Sequence, residues 1–169
     1  PINGLNYSPH LKLNKSNPNV YLSMGNTAEN VAKKYDFSRE VLQDFSINSH
    51  KQAFNAQNKN YFNDELTSIN IDNKIIELDE AIRPNTSQEI LNGLKLVFDE
   101  NGTVTAGTSS PLTDGAAATL ICNENYAKKN NLPILAKIIS TAVNGCPPEL
   151  MGLGPIGATK KALERANLD

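Results

Sequence analysis

The sequence predicts an α/β fold, and three observations predict it. From Ala116 to Ala166, strand-like and helix-like stretches follow one another, and such alternation builds a layered α/β core. Ile134 to Val143 is aliphatic and β-branched, the composition of a strand inside a sheet. Ahead of both, helices are marked by capping residues and by apolar side chains at helical spacing.

Residues 1–20, rich in Asn, Pro and Ser, read as irregular and exposed. A short helix is expected from about Thr27 to Lys34, capped by Thr27, with Ala28, Val31, Ala32 and Tyr35 on its packed face. A longer helix should start at Ser38, with Glu40 near its positive end and Leu42, Phe45, Ala53 and Ala56 facing inward. Phe62 to Leu78 alternates loosely, as one or two short strands would. Thr86-Ser87-Gln88-Glu89 has the form of a capping box and opens a short helix ending at a left-handed Gly93. Asp99 to Gly102 is a turn, and an extended segment begins at Thr103. Near Ser110 the composition changes, which marks a domain boundary. Beyond it, Ala116 to Cys122 suits a buried strand or a buried helix, Asn123 to Asn130 a short helix, and Ile134 to Val143 a strand. A last helix runs from about Pro155, which fits a first turn, to Ala166. An α/β fold would be expected to supply a further strand after it.

With 39% hydrophobic and 20% charged residues, the chain of 169 residues is globular in composition. No apolar run approaches the length of a membrane span. The first residues have neither the basic nor the apolar stretch of a signal peptide. A net charge of −2 with scattered lysine pairs gives no basic field for nucleic acid. Two cysteines cannot form a disulfide scaffold, so a reducing cytoplasm is expected, with Cys122 as a core thiol. The abundance of Asn, Lys and Ile has the look of an AT-rich, bacterial genome.

Generic catalytic patterns are missing. His10 lies in the irregular segment and His50 on the long helix, where a structural role is expected. No Cys/His spacing suits a metal. Cys146, between Gly145 and Pro147, looks the more exposed thiol, but nothing beside it would activate it. Gly152-Leu153-Gly154-Pro155-Ile156-Gly157 matches a dinucleotide fingerprint. Pro147-Pro148 stands where a strand should enter, however, and Pro155 removes an amide that a pyrophosphate would need.

The longer strings carry more. Ser23-Met24-Gly25-Asn26-Thr27-Ala28-Glu29-Asn30-Val31-Ala32, Ser49-His50, Asp79-Glu80-Ala81-Ile82-Arg83-Pro84, the run Gly102 to Ala118, and Met151-Gly152-Leu153-Gly154-Pro155 resemble the thiolase family, in family order. Asp79 to Pro84, Gly107 to Ser110 and Gly145-Cys146 are most similar to its degradative branch, the 3-ketoacyl-CoA thiolases. Ser23 stands where biosynthetic members carry His, which points the same way.

The resemblance implies a fold of two similar α/β halves with a long loop domain inserted in the first. Residues 1–106 would be that loop domain, 107–131 the end of the first half and 132–169 the start of the second. It implies coenzyme A as the ligand. Arg83 would meet its adenosine and phosphate end, Phe98 would line the pocket, Ala106 would meet the pantetheine arm, Ser110 would bond one of its amides, and Met24 would pack near the thioester. Ile90 stands where some members set a Ser against adenine, so that contact is not carried over. The family's acyl transfer uses a Cys thiolate that attacks a 3-ketoacyl-CoA and releases acetyl-CoA, after which a second CoA takes the shortened acyl group. The motifs of that Cys, its activating His, the second Cys and the oxyanion Asn do not occur here, so no catalytic residue and no metal ligand is assigned. Acyl-CoA thioesters and further subunits, in a homodimer or tetramer, are the implied partners, and fatty-acid β-oxidation the implied role. The other reading open at this point is a non-catalytic, thiolase-like module for acyl-CoA or lipid binding or for oligomer contact.

Overall fold

The computed structural model describes residues 9–168. The chain divides into two compact units, Pro1–Pro111 and Leu112–Asp169.

The first unit begins with α1 (Leu11–Ser16) and a 3-10 turn at Pro18–Tyr21. Composition alone marks this stretch as irregular, but His10 caps it. Its Nδ1 accepts from the Leu13 N–H at 3.4 Å, and its own N–H donates to the Tyr21 hydroxyl at 2.9 Å. The remainder of that expected irregular segment, residues 1–8, lies outside the described residues.

Helix α2 (Met24–Tyr35) starts a turn before its expected position. Its cap is Ser23, whose Oγ accepts from the Asn26 N–H at 3.2 Å. Thr27 sits inside the helix, buried, and donates to the Met24 carbonyl at 2.7 Å. The buried face is Thr27, Glu29 and Ala32, while Ala28 and Tyr35 are exposed. Asp36 ends the helix in the left-handed region, φ 55°.

Helix α3 (Arg39–Asn58) starts as expected, with Ser38 Oγ accepting from the Val41 N–H at 3.3 Å. Its inward face differs from the apolar stripe expected. Phe45 is 78% exposed and Gln43 is 1% exposed. The face that packs carries Arg39, Gln43, Ser46 and His50, at helical spacing. It is polar because it meets loop backbone, and backbone amides and carbonyls need polar partners. Gln88 reaches the same helix from across the unit, donating to the Asp44 carboxylate at 2.6 Å.

The loosely alternating stretch forms one antiparallel hairpin, β1 (Ile69–Ile71) with β2 (Lys74–Ile76), in register Ile69↔Ile76. Asp72 and Asn73 turn it with φ of 50° and 65°. Two left-handed residues in a two-residue turn match the twist of paired strands, and Asp and Asn tolerate that region.

Helix α4 (Gln88–Asn92) is capped by Ser87, which accepts from the Ile90 N–H at 3.3 Å, and Thr86 instead donates to the Arg83 carbonyl at 2.7 Å. The left-handed exit expected at Gly93 is not taken, since its φ is −71°. The terminal carbonyls are satisfied from outside: Arg39 Nη2 donates to Leu91, Asn92 and Leu94 at 2.8, 3.3 and 2.7 Å. Asp99 to Gly102 turns the chain, and Val97 pairs with Val104 through an N–H to carbonyl bond of 3.3 Å. The segment then enters a 3-10 turn, Ala106–Thr108.

In the second unit, α5 (Glu124–Lys129) is capped by Asn123, which accepts from the Tyr126 N–H at 2.8 Å. A 3-10 turn (Pro148–Leu153) leads into α6 (Gly154–Ala166), with Pro155 in the first turn. The strand expected over Ile134 to Val143 is not formed, nor is Ala116 to Cys122 regular. A strand exists only as a member of a ladder, and among the described residues neither run has a strand neighbour. Residues 140–143 are tied to α6 instead. Ser140 Oγ donates to the Ala162 carbonyl at 2.6 Å, and Arg165 Nη1 to the Thr141 carbonyl at 2.6 Å.

Cys122, expected in a core, is exposed, and Cys146 is half-buried with its Sγ 4.0 Å from the Met151 carbonyl. The glycines of the dinucleotide-like run serve packing. A Cβ on Gly154 would lie 3.2 Å from Cys146 Sγ, and one on Gly157 would lie 2.5 Å from Asn144 Nδ2.

The first unit holds the extended segment at Thr103 and Val104 through one buried carboxylate. Glu29, 3% exposed, accepts from the Thr103 N–H at 2.9 Å to each oxygen, from the Thr103 hydroxyl at 3.0 Å and from the Val104 N–H at 2.8 Å. Glu29→Ala should therefore destabilise the chain by about 3 kcal/mol, since bonds to a charged acceptor are worth ~1.5–3 kcal/mol and two amides would be left unpaired. Denaturant unfolding measures this, and a loss below ~1 kcal/mol would mean the carboxylate is not the clasp.

Candidate functional site

Three loops carry Arg83, Phe98, Ala106 and Ser110, and Met24 opens α2. Phe98 lies against the first turn of α2. A Cβ on Gly25 would stand 2.2 Å from its ring carbons, so only glycine admits the ring there. Met24, the neighbouring residue, is 72% exposed. The structure thus brings Met24 and Phe98 to one end of α2.

Ala106 and Ser110, both exposed, flank a turn that is wired internally. Thr105 is fully buried. Its N–H donates to Thr108 Oγ1 at 3.0 Å, its Oγ1 accepts from the Gly107 N–H at 3.2 Å, and its carbonyl accepts from Ser109 Oγ at 2.8 Å. The turn is then fastened to α3, where Ser46 Oγ donates to the Gly107 carbonyl at 2.6 Å. A Cβ on Gly107 would lie 2.3 Å from Leu91 Cδ2, so this approach also depends on glycine.

Arg83 is exposed, one helical turn further along α3. Its N–H donates to His50 Nδ1 at 3.2 Å. Its carbonyl accepts from the Thr86 N–H at 3.2 Å and from the Thr86 hydroxyl. Its guanidinium makes no hydrogen bond or ion pair to any described residue. The peptide groups are pinned while the cation is left for an anion or an aromatic face.

Sequence reasoning did not single out Glu29, Arg39 or Ser46, and gave His50 only a structural role. A hint lay in spacing. Gly25, Glu29 and Ala32 share one helical face, as do Arg39, Gln43, Ser46 and His50.

Beside Phe98 there is an open groove of about 190 Å³, lined in part by Leu22, Asn26 and Lys33. Small-molecule sites span roughly 300–1,000 Å³, so the groove is too small to hold one alone. Its rim carries the Lys33–Asp99 ion pair, 2.5 Å. No group of three or more His, Cys, Asp or Glu among the described residues could hold a metal.

The sequence profile described as "Thiolase, N-terminal domain" matches residues 13–125. A 3-ketoacyl-CoA thiolase of Bacillus subtilis is 42% identical over 181 residues, which is 99% of this chain and 46% of that protein. A mitochondrial 3-ketoacyl-CoA thiolase of Mus musculus is 41% identical over 88% of this chain and 38% of its own length. Among solved structures, human mitochondrial 3-ketoacyl-CoA thiolase in complex with CoA superposes with a TM-score of 0.86 at 36% identity, over 99% of this chain and 45% of that one. The dimeric peroxisomal thiolase of Saccharomyces cerevisiae does so with a TM-score of 0.91 at 36% identity, over 99% and 44%. The chain spans less than half the length of each of these relatives.

The ion pair has a pH signature. The hydrogen bond from Lys33, then that from the Asn101 N–H, hold the Asp99 carboxyl below its usual range, and the bond to Asp99 raises Lys33. Asp99's contribution is present above the ordinary carboxylate range and lost as pH falls through the lowered value. Lys33's is present below the ordinary ammonium range and lost as pH rises through the raised value. The tether therefore holds throughout neutral pH. Lys33→Met should move the Asp99 titration upward, as read by carboxyl ¹³C NMR, and an unmoved midpoint would mean the pair does not form in solution.

Proposed function

The chain belongs to the thiolase family, with the α/β thiolase fold, and on that premise we propose that it is the coenzyme A-holding segment of a 3-ketoacyl-CoA thiolase. The observation that carries this reading is the match, at a TM-score of 0.86 over 99% of the chain, to a relative solved with CoA. The Arg83 guanidinium, without a partner among the described residues, and the fastened turn at Ala106 to Ser110 give the reading its chemistry.

In this reading Arg83 meets the adenosine and phosphate end, where a planar cation suits both phosphate and purine. Phe98 and Met24 supply apolar wall toward the thioester. Ala106 lets the pantetheine arm approach the backbone, and Ser110 bonds one of its amides. Residues 1–106 serve as the loop domain, 107–131 close the first α/β half, and 132–169 open the second. The thiolate, its activating His, the second Cys and the oxyanion Asn come from outside this segment. The work done is acyl transfer in fatty-acid β-oxidation, in the bacterial cytoplasm, by a dimer or tetramer. Bacterial relatives and a dimeric neighbour support the last two points.

The second unit supports assembly with more thiolase structure. Leu112, Leu135 and Val143 are 96%, 94% and 84% exposed. Apolar runs this open mark surfaces that are covered in use.

Two measurements test the reading. These 169 residues alone should give no thiolysis of a 3-ketoacyl-CoA, and turnover by the pure chain would overturn the assignment of the chemistry elsewhere. In the assembled enzyme, Ser110→Ala should weaken CoA binding by about 1 kcal/mol, the scale of one net hydrogen bond. Calorimetry checks it, and an unchanged affinity would remove Ser110 from the site.

A further inference from the structure

We propose that His50 and Ser46 of α3 are positioning residues that set the spacing between the nucleotide end and the pantetheine end of the coenzyme A site. The inference rests on the reading of Arg83, Ala106 and Ser110 given above.

The two residues are four apart on one helix face, so their side chains rise about 6 Å from one another along the axis. Each takes hold of a different loop. Ser46 Oγ donates to the Gly107 carbonyl at 2.6 Å, between Ala106 and Ser110. His50 Nδ1 accepts the Arg83 N–H at 3.2 Å. The loops are 24 residues apart in sequence at these two contacts, and no described hydrogen bond joins them directly. Their separation is therefore referred to α3.

The hold on Arg83 is more than a contact. Its N–H is fixed by His50, its carbonyl by Thr86, and Pro84 confines its backbone to extended conformations. With both peptide groups fixed, the direction in which the side chain leaves the backbone is set, although the guanidinium has no partner among the described residues. An accepting Nδ1 requires the ring proton on Nε2. The same N–H can be accepted by the amide oxygen of Asn, which reaches the δ position, and not by that of Gln, which lies one atom further out.

Ser46 and His50 each bond the backbone of a different loop, so under this proposal their effect should be selective by ligand part. The test is thiolysis by the assembled enzyme with two acceptors, CoA and pantetheine, which lacks the nucleotide. His50→Ala should raise KM for CoA about five-fold, leave kcat within two-fold and leave KM for pantetheine unchanged. His50→Asn should restore KM for CoA. Ser46→Ala should raise KM for both acceptors. If His50→Ala is not recovered folded, His50→Gln carries the same expectation. Equal effects of the His50 variants on both acceptors, or none on either, with Arg83→Ala still weakening CoA, would overturn the inference and leave the reading of Arg83 standing. An Arg83→Ala enzyme with unchanged KM for CoA would overturn both.

Discussion

The Glu29 carboxylate is the constraint on which the first unit depends. A carboxylate that is 3% exposed needs hydrogen-bond partners, since burying its oxygens without them is costly. Among the described residues, its hydrogen bonds come from Thr103 and Val104, 74 and 75 residues away. That choice of partner has consequences on both sides. Upstream, the Asp99–Gly102 turn and Phe98 are held against α2, and Gly102 must be glycine because a Cβ there would lie 2.3 Å from Glu29 Oε1. Downstream, Thr105 is delivered, fully buried, to the place where it organises the turn at Ala106. One side chain thus places both the ring that would wall a ligand and the loop that would meet it.

The second helix works by the same means. Among the described residues of the first unit, the buried apolar ones are few, Ala32, Leu91 and Val104. In their place α3 offers a polar face whose Arg39, Ser46 and His50 bond to backbone. Such a face has a cost: Arg39 Nε and Gln43 Nε2 are buried without partners among the described residues, at about 1–3 kcal/mol each. An apolar interface would avoid that cost but could not orient loops, because hydrophobic contact is non-directional whereas a hydrogen bond fixes an angle. A unit that must present three loops in register has reason to be built this way.

What could be read from the sequence was local. Ser38 and Asn123 are recognisable caps because the donor each satisfies lies three residues away. The Asp99–Gly102 turn and the Pro155 helix start are equally short-range signals. The errors at Thr27 and Thr86 are of one kind. Each is a good cap with a serine nearby, Ser23 and Ser87, and the choice between them was settled elsewhere. Thr86 is held by the Arg83 carbonyl, and Thr27 faces inward on α2. Burial was hardest to read. Glu29 and Gln43 are ordinary helix-surface residues by composition, and only long-range packing on the chain's own loops makes them interior. The residues proposed to meet coenzyme A were legible solely through resemblance, since nothing in an exposed Arg before a Pro declares a phosphate.

The second unit shows the opposite relation between pattern and structure. Ile134 to Val143 has the composition of a buried strand, and yet Leu135 and Val143 are 94% and 84% exposed and no ladder forms. The pattern is not an error in the sequence. β-propensity measures fit to neighbours on a pleated surface, so a run can carry the signature of a sheet while the strands that would flank it are absent. Its residues 140–143 already hold a place, bonded through Ser140 and Arg165 to α6. The segment is thus docked on one side by hydrogen bonds and left apolar and open elsewhere. That is the state of a strand whose helix layer is present and whose sheet is not. Read together with a span of under half of each relative's length, it supports the proposal that the apolar content of this unit makes contacts within a larger thiolase.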